Sequence, residues 1–200
     1  MADHYYTARP RSKSAERTIE ATLCGLSLRF ITDAGVFSKG HVDPGTRLLI
    51  EAAPLPDAGA VLDLGCGYGA IGIAVAKLRP DLRVVMVDVN ERAVSLARRN
   101  AALNGVAGVD VRLSDGFAGL EPDLRFQAIL TNPPYRAGKE RVYGLVAGAK
   151  ERLEPGGLLV VVGHNKQGVK SLKKHMQVVF GNAEDVAKEG GYRVVASRRL

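Results

Sequence analysis

Apolar residues follow two different periods along the chain, and these periods predict two kinds of element. Near the N-terminus they alternate with polar residues, which predicts strands at 18–23 and 26–30 around a turn at Cys24-Gly25. Pro44, at a first helical position, predicts a short helix. The pattern then predicts strands at 60–64, 83–87, 109–113, 126–131 and 158–162, helices at 70–78, 91–103, 142–153 and 166–178, and a closing hairpin of 183–187 and 193–197.

Strands that alternate with helices predict an α/β fold with a doubly wound, mostly parallel, seven-stranded sheet and a C-terminal antiparallel hairpin. We expect residues 1–34 to form an N-terminal arm and short strands packed on the core, and residues 35–200 to form the main domain. Ligands of such sheets bind outside the carboxyl ends of the strands, at the switch point. The loops after Leu64, Val87 and Leu130 are therefore expected to carry the site.

Composition and charge narrow the class of protein. The chain has 200 residues, 46% of them hydrophobic and 24% charged, which is the balance of an ordinary one-domain globular protein. Lysine and arginine exceed the acids by 28 − 21 = +7, which favours a polyanionic partner such as nucleic acid. Two cysteines without metal-ligand spacing, no basic-then-apolar leader and no long apolar run lead us to expect a cytoplasmic protein with no metal and no membrane contact.

A glycine-rich segment follows the first strand of the predicted sheet, and it reads Asp63-Leu64-Gly65-Cys66-Gly67-Tyr68-Gly69. Glycines there permit a tight turn and close approach of the backbone to a ligand. The spacing Gly67-x-Gly69-x-x-Gly72, with Asp88 downstream, also matches the dinucleotide fingerprint of nicotinamide enzymes. Asp63 argues against that interpretation, because an acid at the strand end would repel a pyrophosphate. It would accommodate a cationic ligand or organise the loop around one.

Two further acids follow the next two strands. Asp88 can accept both hydroxyls of a ribose, or it could cap the following helix, a role that Asn90 fits better. Asp115 could accept the amino group of an adenine in the turn with Gly116, with Phe117 against the adenine face, or it could simply form an Asx-turn.

The segment Asn132-Pro133-Pro134-Tyr135 after the fourth strand is the most specific motif in the chain. The prolines fix the backbone and remove two N–H donors, so the loop offers carbonyls, one side-chain amide and one aromatic ring. That surface suits a planar amine. The Asn132 amide oxygen and the Pro133 carbonyl can each accept an amine hydrogen, and Tyr135 can stack on the ring that bears the amine.

These motifs together resemble the class I methyltransferases that depend on S-adenosylmethionine, over about residues 35–200. The resemblance implies catalytic roles for Asn132, Pro133, Pro134 and Tyr135, and it implies cofactor-binding roles for Asp63, Gly65, Cys66, Gly67, Asp88, Asn90, Asp115, Gly116 and Phe117. Three segments make the chain most similar to the small-subunit rRNA guanine-N2 methyltransferases and their single-domain relatives. They are His4-Tyr5-Tyr6, Gly35-Val36-Phe37-Ser38 and Asp43-x-Gly45-x-x-Leu48-Leu49.

The resemblance implies methyl transfer to the exocyclic amine of guanine in RNA, with small-subunit rRNA or the small subunit itself as the partner. Two-domain members carry an extra N-terminal half, so the target nucleotide is not carried over. Protein-glutamine methylation, adenine-N6 methylation and a cofactor-binding module without activity stay open as alternatives. We expect Phe37 to line the pocket or to pack under the Pro44 helix. Candidate phosphate contacts are Arg9, Arg11, Lys13 and Arg17 in the arm, and Lys166, Lys170, Lys173 and Lys174 near the C-terminus.

Overall fold

The computed structural model describes residues 7–200. Its first strands, β1 (Arg17–Leu23) and β2 (Leu26–Thr32), pair antiparallel in a two-stranded sheet of their own. Cys24 and Gly25 have φ of 49° and 77°, as the two-residue turn with a hairpin's twist requires. The predicted hairpin is therefore confirmed, and its buried residue Phe30 faces the core.

The remaining elements follow the predicted order. They are α1 (Pro44–Ala52), β3 (Ala60–Leu64), α2 (Ala70–Leu78), β4 (Arg83–Asp88), α3 (Glu91–Leu103), β5 (Asp110–Leu113), β6 (Phe126–Thr131), α4 (Lys139–Arg152), β7 (Leu153–His164), α5 (Val169–Phe180), β8 (Glu184–Glu189) and β9 (Tyr192–Arg198). Pro44 stands at the start of α1, as predicted, and Asp43 caps that helix by accepting from the Thr46 N–H at 3.0 Å.

Seven of these strands form one sheet in the order β5-β4-β3-β6-β7-β9-β8. The first five strands in that order are parallel, whereas β9 runs antiparallel to both β7 and β8. The predicted doubly wound sheet with a closing hairpin is confirmed. The chain leaves β3 toward β4 and β5 and then returns to β6 on the other side of β3. The switch point therefore lies between β3 and β6, where α/β sheets bind their ligands.

Both faces of the sheet are covered. Alternate residues of a strand point to opposite faces, so Val61 and Met86 pack in one cluster with α1, α2, α3 and the hairpin. Leu62 and Val87 pack in a second cluster with α4 and α5. This double burial explains why the strands read as continuous apolar runs in the sequence. No helix among residues 7–200 combines the length and apolarity needed to cross a lipid bilayer.

Two boundaries differ from the predicted ones. Pro155 and Gly156, expected between a helix and a strand, lie inside the long strand β7, because α4 ends at Arg152 and the chain is already extended at residue 153. Gly156 there takes φ 79° and donates to the Arg199 carbonyl at 2.7 Å, beside a shift in register between β6 and β7. The helix predicted from residue 166 begins at Val169, because residues 165–167 form a short 3-10 turn.

The arm at residues 7–16 lies along the start of α3. The Glu91 N–H donates to the Ala8 carbonyl at 3.0 Å, and the Arg92 guanidinium donates to the Ser12 carbonyl at 2.8 Å. Asp33, at the end of the hairpin, accepts from the Ser14 hydroxyl at 2.8 Å. The division of the chain at residue 34 stays a prediction.

The buried side chain of Asn100 on α3 joins three parts of the molecule. Its Oδ1 accepts from the Ile31 N–H at 2.7 Å, and its Nδ2 donates to the carbonyls of Ile31 and Tyr68, both at 2.9 Å. This one amide ties the hairpin and the glycine-rich segment to α3, and it satisfies backbone groups that the core would otherwise leave unpaired.

Asn100→Ala is expected to lower the free energy of unfolding by ~3 kcal/mol, because it leaves three backbone groups without partners in the interior. The matched change Asn104→Ala also removes bonds to a backbone N–H and carbonyl, those of Arg29, but at an exposed position. Water can replace those bonds, so we expect a loss of about 1 kcal/mol there. Urea denaturation measures both, and equal losses would contradict the role assigned to Asn100.

Candidate active site

A cavity opens at the carboxyl ends of β3, β4 and β6, at the switch point of the sheet. The loops expected to carry the site, after Leu64, Val87 and Leu130, all reach its wall. The segment 36–38 and the first residues of α1 close the cavity from the N-terminal side of the chain. Parallel strands thus bring three distant loops together, and a segment outside the sheet completes the wall.

The segment after β3 is a tight turn that β4 holds in place. The N–H groups of Gly65 and Cys66 both donate to the Val87 carbonyl at 2.9 Å, and the Gly67 N–H donates to Asp88 Oδ2 at 2.8 Å. Gly65 and Gly67 have φ of 77° and 57°, backbone conformations that favour glycine. All three turn residues line the cavity. Burial raises the pKa of the Cys66 thiol, so this side chain is a neutral part of the wall.

Asp63 lies behind the turn and does not line the cavity. Its Oδ2 accepts from the Gly72 N–H in the first turn of α2 at 2.8 Å. Its Oδ1 is buried with no hydrogen-bond partner among residues 7–200. Burial raises the pKa of Asp63 to about 7; the Gly72 N–H opposes this rise and the nearby Asp88 adds to it. Of the two roles considered for Asp63, the geometry favours organising the loop over direct contact with a ligand.

Asp88 ends β4 at the cavity wall. Its oxygens accept from the N–H groups of Gly67 and Asn90, each at 2.8 Å, and the carboxylate keeps acceptor capacity for a ligand hydroxyl. Burial raises the pKa of Asp88, and these N–H groups act in the opposite sense. Asn90, expected among the cofactor-binding residues, lies behind the wall instead. It is fully buried, caps α3 and donates to the Gly35 carbonyl.

Of the three residues predicted to bind the cofactor in the loop after β5, only two line the cavity. Asp115 and Gly116 line it, and Asp115 forms an exposed ion pair with Arg141 of α4 at 2.5 Å. Phe117 does not line the cavity, contrary to the expectation that its ring faces an adenine. Its ring packs on α4, so close to Gly148 that a Cβ there would lie 2.7 Å from a ring carbon. The segment turns its aromatic side chain into the core because α4 offers it an apolar surface.

The backbone of the motif after β6 is fixed by its own hydrogen bonds. The Tyr135 N–H donates to the Pro133 carbonyl at 2.8 Å, which leaves that carbonyl one further lone pair. The Tyr135 hydroxyl donates to the Val162 carbonyl of β7 at 3.0 Å. A Cβ on Gly163 would lie 2.0 Å from that hydroxyl oxygen, so only glycine leaves room for it. Pro133, Pro134 and Tyr135 all line the cavity in this arrangement.

Asn132 lies on the cavity wall with one end of its amide engaged. Its Nδ2 donates to Asp43 Oδ2 at 3.2 Å and to Thr46 Oγ1 at 3.0 Å. Its Oδ1 forms no hydrogen bond within the part of the chain that the structure describes. Sequence reasoning missed Asp43 and Thr46 as site residues. The Asp43-Pro44 pair indicated a helix start, but no local pattern connects that start to a residue 89 positions away.

Three further side chains on the wall were also not predicted. They are Arg141, Gln167 and Tyr192, which come from α4, the turn before α5 and β9.

Of the residues predicted to bind the substrate, Phe37 lines the cavity and does not merely pack under α1. Arg9, Arg11 and Lys13 lie on the exposed surface outside the cavity, and Arg9 pairs with Glu91 at 2.8 Å. The segment His4-Tyr5-Tyr6 lies outside the described residues.

Comparison with known proteins identifies the family of the chain. Residues 27–196 match the family model of the methyltransferase small domain. The chain belongs to this family. It is 39% identical to the uncharacterized protein YbxB of Bacillus subtilis over the whole length of both chains. It is 35% identical to the ribosomal RNA large subunit methyltransferase G of Streptomyces coelicolor, over 82% of this chain and 44% of that enzyme.

A solved structure extends this family likeness to the fold. The T. thermophilus 16S rRNA N2 methyltransferase, in complex with AdoMet and guanosine, superimposes with a TM-score of 0.84 at 29% identity. The superposition covers 96% of this chain and 52% of that one. The chain therefore spans about half the length of the rRNA methyltransferases it matches here.

The family and its AdoMet-bound relative make this chain an S-adenosylmethionine-dependent methyltransferase, and not the nicotinamide enzyme that the glycine spacing alone suggested. The residues present fit that cofactor. Gly65 and Gly67 leave open space where other residues carry a side chain, and Asp88 offers acceptors for ribose hydroxyls. The Asp63 carboxyl, with its pKa of about 7, can carry a negative charge close behind the turn, which suits a cationic sulfonium.

Asp63→Asn is expected to stabilise the ligand-free protein increasingly as the pH rises. The pKa of Asp63 is about 7 in the folded protein against an ordinary value of 3.8, so the wild type loses stability as the pH rises between these values, and the loss is complete above about 7. Asparagine keeps an oxygen for the Gly72 N–H and carries no charge. The advantage of the variant should grow by about 2 kcal/mol from pH 5.5 to pH 8.

Thermal unfolding of wild type and variant across this pH range measures the difference. The exposed change Asp81→Asn is the matched control, and we expect its effect to be the same at both pH values. An Asp63→Asn effect that does not vary with pH would refute the assignment of a buried, partly uncompensated carboxyl.

Proposed function

We propose that this protein transfers a methyl group from S-adenosylmethionine to the exocyclic N2 amine of guanine in ribosomal RNA, with small-subunit RNA as its substrate. The observation that carries the proposal is the free acceptor Asn132 Oδ1 on the wall of a cavity that Tyr135 also lines. Relatives support the choice of RNA: one acts on the large ribosomal subunit, and the 16S rRNA enzyme is an N2 methyltransferase whose structure contains guanosine.

The motif residues hold the acceptor base in this proposal. Asn132 Oδ1 accepts one amine hydrogen, and the remaining lone pair of the Pro133 carbonyl accepts the other. The Tyr135 ring, anchored through its hydroxyl to β7, supports the plane of the base. With both N–H bonds held, the nitrogen lone pair has one direction in which to react, so much of the catalysis is positioning.

The chemistry needs no dedicated base. S-adenosylmethionine supplies a methyl group on a sulfonium, so that the carbon–sulfur bond breaks as the nitrogen–carbon bond forms and the nitrogen then releases its proton to water. The guanine amine is a weak nucleophile because its lone pair is conjugated with the ring. Acceptors at Asn132 and Pro133 stabilise the positive charge that develops on this nitrogen. No histidine among residues 7–200 lines the cavity, which agrees with a mechanism without a general base.

Basic side chains on two surfaces support a nucleic-acid partner. In the arm, Arg11 and Lys13 are exposed and form no ion pair within residues 7–200. On α5, Lys170 and Lys174 are likewise unpaired in that range and line a shallow groove with Arg193. The turn that precedes α5 supplies Gln167 to the cavity wall, so α5 connects the cavity to this groove along the chain. The cytoplasmic location expected from the sequence stays a prediction.

Asn132→Ala is expected to abolish methyl transfer and to leave the affinity for S-adenosylmethionine within about threefold, because Asn132 serves the acceptor. The assay uses radiolabelled S-adenosylmethionine with separate pools of unmodified small-subunit rRNA, large-subunit rRNA, assembled small subunits, tRNA, DNA and release factor. Nucleoside analysis identifies the product, and calorimetry measures the cofactor affinity. Loss of cofactor binding in the variant would make Asn132 structural.

The substrate pool that becomes labelled, and the product found in it, decide between the possible methyl acceptors. N2-methylguanosine from small-subunit rRNA or subunits supports the proposal, and the same product from large-subunit rRNA overturns the choice of subunit. Label in N6-methyladenine or in protein overturns the guanine acceptor. Cofactor binding without transfer to any pool would favour a binding module.

The double change Arg11→Glu and Lys13→Glu is expected to weaken rRNA binding at least about tenfold near 0.1 M salt. It should also reduce the slope of log affinity against log salt by about 1.4, because two phosphate contacts with a single strand are lost. Filter binding over a salt series measures both quantities. The double change Lys77→Glu and Arg83→Glu is the matched control, since Arg83 is the first residue of β4 and the cavity lies at the other end of the strands. Equal effects of the two pairs would remove the arm from the binding surface.

A further inference from the structure

The side-chain amide of Asn132 has an asymmetric environment. Its partners inside the protein are a carboxylate oxygen of Asp43 and the hydroxyl of Thr46, both of which accept from Nδ2. A carboxylate is an acceptor only, so it excludes the opposite orientation, in which Oδ1 would face Asp43 Oδ2 at about the same distance. Because the protein occupies the donor end of the amide, the acceptor end is left for the cavity.

We propose that Asp43 and Thr46 are positioning residues that make the site specific for an amine, by fixing which end of the Asn132 amide meets the substrate. This inference rests on the proposed function, because it assumes that the reacting group is an amine. With Oδ1 toward the cavity, Asn132 binds a group that donates hydrogens. With the amide reversed, it would present N–H groups and would favour a carbonyl or ring nitrogen in the same place.

The positioning pair is held independently of any ligand. Asp43 Oδ2 also accepts from the Thr46 N–H at 3.0 Å as the cap of α1, and Asp43 Oδ1 accepts from the Tyr192 hydroxyl at 3.4 Å. Thr46 is buried in the first turn of that helix. A Cβ on Gly45 would lie 2.6 Å from the Tyr192 ring, so the glycine lets this ring pack against the cap. The start of α1 is thus a rigid acceptor site for Asn132.

This arrangement disfavours a substrate that presents a carbonyl or a ring nitrogen to Asn132. An acceptor atom placed against Asn132 Oδ1 leaves two acceptors facing each other, without a proton between them. Reversal of the amide to relieve that contact would bring Oδ1 against the Asp43 carboxylate. Discrimination therefore comes from Asp43 as well as from Asn132 itself, although Asp43 need not touch the substrate.

The decisive variant is Thr46→Val, which removes one of the two acceptors and keeps the backbone N–H that Asp43 caps. We expect kcat to fall about tenfold, the size of one hydrogen bond. The affinity for S-adenosylmethionine, the KM for RNA and the melting temperature should change little. Thr46→Ser should restore kcat, because serine supplies the same hydroxyl. Thr18→Val, at an exposed position of β1, controls for the substitution itself.

A second readout needs neither substrate nor cofactor. In the ligand-free wild type, the Asn132 side-chain N–H groups should exchange slowly with solvent, because Nδ2 donates to two acceptors inside the protein. The exchange should become faster in Thr46→Val and stay slow in Thr46→Ser and Thr18→Val. The signals are assigned by their loss in Asn132→Ala, and nitrogen–proton correlation spectra follow the exchange.

The two readouts separate this inference from the proposed function. Wild-type kcat in Thr46→Val, or unchanged exchange of the Asn132 amide, would overturn the positioning role. If the wild type methylates no nucleic-acid pool, the proposed function fails, while the exchange measurement still decides whether Asp43 and Thr46 fix the amide. If Thr46→Val lowers both kcat and the melting temperature, and Thr46→Ser restores neither, then Thr46 is only structural.

Discussion

Two carboxylates at the ends of neighbouring strands, the buried Asp63 and the half-buried Asp88, hold the glycine-rich turn at one end of the cavity. Asp63 on β3 anchors the Gly72 N–H at the start of α2, and Asp88 on β4 anchors the Gly67 N–H within the turn. The backbone between these points is therefore fixed before any ligand binds. The arrangement concentrates negative charge, and each carboxyl is held at a raised pKa by its burial. A cofactor that carries a positive sulfur would stabilise the charged form of these carboxyls.

The acceptor end of the cavity is built on a different principle. Within residues 7–200 it consists of dipoles held in fixed directions, one of which the Asp43 carboxylate orients. The Asn132 amide donates to two acceptors inside the protein and the Pro133 carbonyl accepts from one N–H, and each group keeps an unused acceptor position. Tyr135 is fixed through its hydroxyl to β7, in the space that Gly163 leaves open. Dipoles held in this way lose little free energy to reorganisation when charge develops on a substrate nitrogen.

The sequence predicts what local periodicity and strand ends determine. The alternation of strands and helices, the closing hairpin, the turn at Cys24-Gly25 and the three loops at the switch point all follow from patterns a few residues long. Packing between distant segments is not encoded in such patterns. Phe117 turns into the core because Gly148, on another element, leaves room for its ring, and Pro155 lies within β7 because a strand tolerates a proline beside a register shift.

The same distinction explains why the two halves of the cavity differ in how well the sequence predicts them. The glycine turn and Asp88 belong to consecutive strands of the sheet, so the fold itself brings them together. Phe37, Asp43 and Thr46 precede the first strand of the sheet, and the fold does not require them to meet the loop after β6. A segment with that freedom can change without disturbing the cofactor turn. Within this fold, the residues that choose the methyl acceptor are therefore expected in 36–46 as much as in the motif proposed to hold the acceptor amine.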